Sequence, residues 1–214
     1  MSKIKQSHKV QDKLPEPLEN IIDYLELGVG AGRRIGELAK HASAEGRERY
    51  FLGTDMYGKV RVGDDLSNLE VRVGKRGEAV QTLAELLASG CRVKVVNLDF
   101  FFSDLRRWVG KDAKVRDTLV SDKGETGALK HAVLVLLNKV MVPNGRVYIT
   151  DFADNISGIQ QDLGSTGFEV ERQRPLERED AKTWWMQYGF RQAEKTGDMG
   201  WKPVRLVARK TASL

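Results

Sequence analysis

The chain has 214 residues, 41% of them hydrophobic, and a formal net charge of +5. That suits one domain with its own core, and the length argues against two; no apolar run is long enough to span a bilayer, and the polar, lysine-bearing stretch from Met1 to Lys13 lacks the apolar segment of a signal peptide. A single cysteine, Cys91, excludes a disulfide framework and fits a reducing cytoplasm, and with so few histidines no structural metal site is expected. The charge permits attraction to a polyanion such as RNA without demanding it, because Lys and Arg are interspersed with Asp and Glu.

Taken in chain order, residues 1–14 read as a flexible leader, and Pro15-Glu16-Pro17 breaks any early helix. Residues 15–214 read as a single domain. Ile21 to Leu25 is strand-like, Glu26-Leu27-Gly28-Val29-Gly30-Ala31-Gly32 is a glycine-rich turn, and Arg33 to Lys40 is helix-like. Tyr50 to Asp55 reads as a second strand ending in an acid, and 57–74, rich in Gly, Asp and Asn, as a loop. Glu78 to Ser89 has helical periodicity, with Val80, Leu83, Leu86 and Leu87 on one face. Cys91 to Leu98 reads as a third strand, closed by Asp99, and Val115 to Ser121 as a fourth, ending at Asp122. A helix over Leu129 to Val142 stops at Pro143-Asn144-Gly145, and Arg146 to Thr150 is a fifth strand. A helix from Ile156 to Leu163 and strands at Phe168–Gln173 and Val204–Arg209 complete the pattern. Strands alternating with helices predict an α/β, Rossmann-like, seven-stranded and mostly parallel sheet with helices on both faces, the last strand antiparallel.

Strand, glycine turn, helix is the architecture of a nucleotide or nucleoside site. Glycine lets the backbone turn sharply and approach a ligand, and the helix points free N–H groups at it. A dinucleotide fingerprint would place its third glycine where Arg33 stands. This chain instead reads G-x-G-x-G, with Glu26 two positions before Gly28. Alone, the motif leaves a ligand site and a plain turn open.

The segment from Glu26 to Gly32 resembles motif I of the class I methyltransferases that use S-adenosylmethionine (SAM). The turn Val142-Pro143-Asn144-Gly145-Arg146 resembles the one before that family's fifth strand, with Asn144 replacing a glycine, and the element order agrees over almost the whole chain. The resemblance implies SAM as cofactor, held by Glu26, Gly28, Gly30 and Gly32, with Glu26 reaching the ammonium. It implies that Asp55 accepts from the ribose hydroxyls, that Met56 lies against adenine, and that Asp99 and Phe100 meet the adenine amine and ring. Phe100-Phe101-Phe102 otherwise reads as core. Asp122, at the end of the predicted fourth strand, is the candidate for orienting the nucleophile or taking its proton, its alternative being a turn residue before Gly124. Cys91 opens its strand at the wrong end of the sheet to be a nucleophile.

Residues 176–203 form an aromatic-rich insertion between the last two strands. It leaves the sixth strand on the ligand side, so Trp184, Trp185 and Tyr188, with Lys123, are the candidate substrate contacts, by stacking and by charge. Burial against the sheet edge is the alternative for the aromatics. The C-terminal third bears a fainter resemblance to tRNA guanine-N7 methyltransferases: Thr150-Asp151-Phe152, Gly167-Phe168, Arg174-Pro175-Leu176 and Val204 to Arg209 occur in a similar order, but that family's Pro-Asp-Pro-Trp segment is absent. The expectation is a cytoplasmic SAM-dependent methyltransferase acting on a nitrogen or oxygen nucleophile, with RNA the leading substrate class. The alternatives are a small-molecule methyltransferase and a SAM-binding protein without transfer activity.

Overall fold

The computed structural model describes residues 20–55, 60, 66–73, 78–103 and 125–211. Strand β1 (Ile21–Leu27) runs through the glycine turn into α1 (Arg33–Ala44), followed by β2 (Phe51–Asp55) and β3 (Leu69–Val73). Then come α2 (Glu78–Ala88), β4 (Arg92–Asp99), α3 (Glu125–Val140), β5 (Met141–Phe152), α4 (Ala153–Ser165) and β6 (Phe168–Pro175). Helix α5 (Trp184–Thr196), flanked by the 3-10 turns Arg178–Asp180 and Met199–Trp201, precedes β7 (Pro203–Lys210). The sheet has seven strands in the order β3-β2-β1-β4-β5-β7-β6. Strand β7 is antiparallel to both β5 and β6, and the other pairs are parallel.

Two expectations differ from this sheet. Strand β3 lies inside the stretch read as a loop; its five residues alternate Leu69 and Val71 with the Glu70–Arg72 ion pair, a pattern too short to stand out among Gly and Asp. The strand closed by Asp99 is therefore the fourth, not the third. The predicted strand at 115–121 lies outside the described residues, and β4 has β1 and β5 as its sheet neighbours. Asn144 adopts φ +61, the left-handed geometry expected of it, but the turn expected before the fifth strand lies within β5, where the pairing with β4 shifts register between Met141 and Arg146.

Register and the two-residue alternation of strands sort the central side chains onto two faces. One face is apolar: Leu25, Val96, Val147 and Ala208 form a row, and Leu98, Ile149 and Leu206 the next. Helices α2, α3 and α4 bury Leu83, Leu86, Val133, Leu134, Leu137, Ile156 and Ile159 in the same cluster. The other face carries α1 at one side, where Ile35, Ala39 and Ala42 meet Val29 and Phe51. On its other side α5 buries Met186 and Phe190 against Phe100, Phe152 and Leu176. Between them the sheet is polar: Glu26, Asn97 and Tyr148 lie side by side across β1, β4 and β5, and Asp99, Thr150 and Arg205 form the row toward the carboxyl ends.

Candidate cofactor site

The glycine turn closes β1 at the carboxyl edge of the sheet, where open α/β folds bind ligands. Gly28, Gly30 and Gly32 have φ of +78, +58 and +75, the left-handed region that favours glycine. The turn is pinned to β2: the Gly28 and Val29 amides donate to the Thr54 carbonyl at 2.8 and 2.9 Å, and the Gly30 amide to Asp55 Oδ2 at 2.7 Å. A Cβ on Gly30 would meet nothing within 4 Å, so the turn presents open space there. Gly53, by contrast, must be small, because a Cβ would come within 2.7 Å of Val29 Cγ1 beneath α1.

Glu26 points onto the polar face and is 4% exposed. Asn97 Nδ2 donates to its Oε1 at 3.4 Å, Arg34 Nη1 lies 3.7 Å from the same oxygen, and Oε2 is buried with no hydrogen-bond partner among the described residues. Burial, only partly offset by Arg34 and reinforced by Asp99, pushes the Glu26 carboxyl up to about 7. Burial likewise raises the phenol of Tyr24 beside it. Asp99 is in direct contact with Arg34 Nη1, and Arg205 Nη2 lies 3.9 Å away on its other side.

Tyr24, Arg34, Asn97 and Arg205, the neighbours of Glu26 and Asp99, border a cavity of about 340 Å³, within the ordinary size of ligand sites; the two acids themselves stand behind its lining. Tyr24, Asn97, Tyr148 and Arg205 supply its sheet floor and Arg34 its α1 side; Asp180, Lys182 and Met186 of the insertion wall it opposite. Arg174 grips Asp180 through two hydrogen bonds, at 2.9 and 3.2 Å, and holds that carboxyl down near 2.

No family model matches the sequence, and no curated protein does. Solved structures do. A 16S rRNA (adenine(1408)-N(1))-methyltransferase from Catenulisporales acidiphilia superposes with TM-score 0.53 at 14% identity, over 92% of this chain and 87% of that one. The 16S rRNA methyltransferase KamB gives 0.53 at 12% identity, over 89% and 88%. SMU.776, complexed with SAH, gives 0.53 at 10% identity, over 88% of this chain and 45% of that one, so the chain spans less than half of that protein's length. The chain has the class I SAM-dependent methyltransferase fold.

Within that fold the expected residues distribute unevenly. Glu26, Gly28, Gly30, Gly32 and Asp55 come together at one turn. Asp99 is across β1 from Asp55, in the Arg34–Glu26 cluster, because it closes β4. Phe100 lies apart from that turn. Its ring is 1% exposed, 5.0 Å from Phe152 in the insertion's apolar cluster, and its amide donates to the Thr150 carbonyl at 2.7 Å. Its φ of +55 turns the ring inward. Phe101 and Phe102 are core, as read. Tyr188 is half-buried, edge-on to Trp201 at 5.9 Å. Trp184 and Trp185 open α5, but their side chains, like Met56, Asp122 and Lys123 entirely, lie outside the described residues. Cys91 precedes β4, at the end of the sheet remote from the glycine turn.

Sequence reasoning missed Tyr24, Arg34, Asn97, Tyr148 and Arg205. A signal was there. Strands covered on both faces should be apolar throughout, yet Tyr24-Leu25-Glu26, Asn97-Leu98-Asp99 and Tyr148-Ile149-Thr150 alternate polar with apolar in the centre of the sheet.

Proposed function

We propose that the protein is a SAM-dependent methyltransferase acting on a nitrogen or oxygen nucleophile, with RNA as the leading substrate class. One observation carries the reading. Two acids, Glu26 and Asp55, flank a positive-φ glycine turn, one with a buried oxygen that has no hydrogen-bond partner among the described residues and the other drawn onto the turn by the Gly30 amide. Such a pair suits a nucleoside with a cationic amino-acid tail. In this reading Asp55 accepts from the ribose hydroxyls by charge-assisted hydrogen bonds, and Glu26 from the ammonium. SAM supplies an electrophilic methyl on a sulfonium with a good leaving group. The chain's contribution is then to hold donor and acceptor in line and to exclude water, which positioning alone can make large.

Two of the similar structures are 16S rRNA methyltransferases, and the net charge of +5 is compatible with a polyanion. Both favour RNA. The insertion walling the cavity favours the second reading, a small-molecule N- or O-methyltransferase. Calorimetry with SAM, S-adenosylhomocysteine (SAH) and NAD tests the cofactor, and mass shifts on RNA and metabolite extracts test the substrate. Tight NAD binding without SAM binding would overturn the reading.

A further inference from the structure

Arg34 stands in the first turn of α1, and its guanidinium lies between two acids from neighbouring strands. Nη1 is 3.7 Å from Glu26 Oε1 and in direct contact with Asp99 Oδ2. Glu26 retains a second buried oxygen without a hydrogen-bond partner among the described residues. Arg205 also approaches Asp99, at 3.9 Å, but its Nε is tied to Thr150 Oγ1 at 3.1 Å. Two carboxylates therefore converge on one place, and Arg34 supplies the cation there. Charges this deep require a counter-ion, because an unpaired buried carboxylate is costly. The Arg34 side chain is a third exposed and stands at the cavity's edge, so it can exchange the acids for water.

We propose that Arg34 is a resident counter-cation which a ligand's ammonium displaces, so that this residue sets how strongly the pocket selects nucleosides bearing an amino-acid tail. The inference rests on the SAM reading above. An ammonium entering beside Glu26 and Asp99 competes with the guanidinium for the same oxygens. Exchanging one cation for another leaves the local charge unchanged, but each binding event must break the Arg34–Asp99 contact. Ligands without the tail leave it intact.

The test compares SAH with 5′-methylthioadenosine, the same thioether nucleoside without the amino-acid end, by calorimetry on wild type, Arg34→Gln and Arg34→Lys. Arg34→Gln should bind SAH about fivefold to tenfold more tightly, with methylthioadenosine unchanged. Arg34→Lys, which keeps a cation in reach, should hold the ratio of the two affinities within about twofold of wild type. It also carries the test should the glutamine variant not fold. Weaker SAH binding by Arg34→Gln, or a ratio that collapses in Arg34→Lys, would show that Arg34 grips the ligand's carboxylate and would overturn the proposal. Equal changes for both nucleosides would make Arg34 a scaffold for the turn, with the same consequence. Binding of neither nucleoside to wild type would remove the SAM reading itself, and the counter-cation role with it.

Discussion

The Gly30 amide donates to Asp55 Oδ2 at 2.7 Å, joining the turn after β1 to the end of β2 across 25 residues of sequence. The contact fixes an acid at the rim of a turn whose glycine has open space beside it. Gly30→Ala should fold, losing about 1 kcal/mol to its φ of +58, while SAH affinity drops by more than that strain explains. Gly53→Ala should do the reverse, since its Cβ would clash with Val29 in the packing under α1. Melting temperature and calorimetry on both variants check the contrast; equal losses of affinity and stability in each would contradict it.

Asp55→Asn keeps the shape of the side chain and removes its charge. Hydrogen bonds to a charged group are worth about 1.5–3 kcal/mol, so SAH binding should weaken by roughly tenfold to a hundredfold. A variant that binds like wild type would make Asp55 a turn-holding residue only.

Glu26 predicts an inverted pH dependence. Its carboxyl, ordinarily at 4.5, is pushed up to about 7 by burial, with Asp99 adding to the shift and Arg34, Asn97 and Tyr24 opposing it. An acid raised on folding contributes stability that is complete below the unfolded pKa and lost as pH rises through the folded one. The wild type should therefore lose up to about 3 kcal/mol between pH 4.5 and 7 from this group. Glu26→Gln should flatten that slope and melt higher than wild type above pH 7, yet bind SAH less well. Denaturant titrations at a series of pH values read the slope; an unchanged slope in the variant would remove Glu26 as its source.

Asp151 is fully buried, accepting from the amides of Ser103 and Phe152 at 3.2 and 2.8 Å, from Asn155 Nδ2 at 2.7 Å and from the Ser103 hydroxyl. Asp151→Ala leaves these donors without their acceptor and should cost about 3–5 kcal/mol, measured by denaturation. At temperatures where the variant remains folded, SAH affinity should stay near the wild-type value.

The insertion separates two roles for its aromatics. Tyr188→Ala removes a ring edge-on to Trp201 and should lower the melting temperature, with RNA binding little changed. Trp184→Ala and Trp185→Ala should weaken RNA binding by roughly tenfold if each stacks on a base, at about 1–3 kcal/mol per aromatic. Titrations at two salt concentrations separate stacking from counterion release. RNA binding unaffected by both tryptophan changes would move the small-molecule reading ahead.

Periodicity and punctuation are local, and they make most of the architecture legible in the sequence. Helix α1 follows Gly32 as read, α2 covers nearly the predicted span, and β7 is antiparallel. The glycine spacing with Glu26 and the acid of Asp55 were legible for the same reason, since a turn's φ demands are written in its own residues. The short edge strand β3 was not, because its five residues are stabilised by pairing with β2 and by packing of Leu69 and Val71 under α1, neither visible along the chain. With β3 unseen, the strand closed by Asp99 counted as the third, whereas it is the fourth. Only tertiary register set Glu26 beside Asn97, brought Arg34 between Glu26 and Asp99, and turned the Phe100 ring into the insertion's core. The sequence by itself determined the turn and, β3 and α5 apart, the order of elements, which depend on local backbone preference. Which charges share one buried place depends on sheet order and on the side from which each helix covers it, and the fold alone decided that.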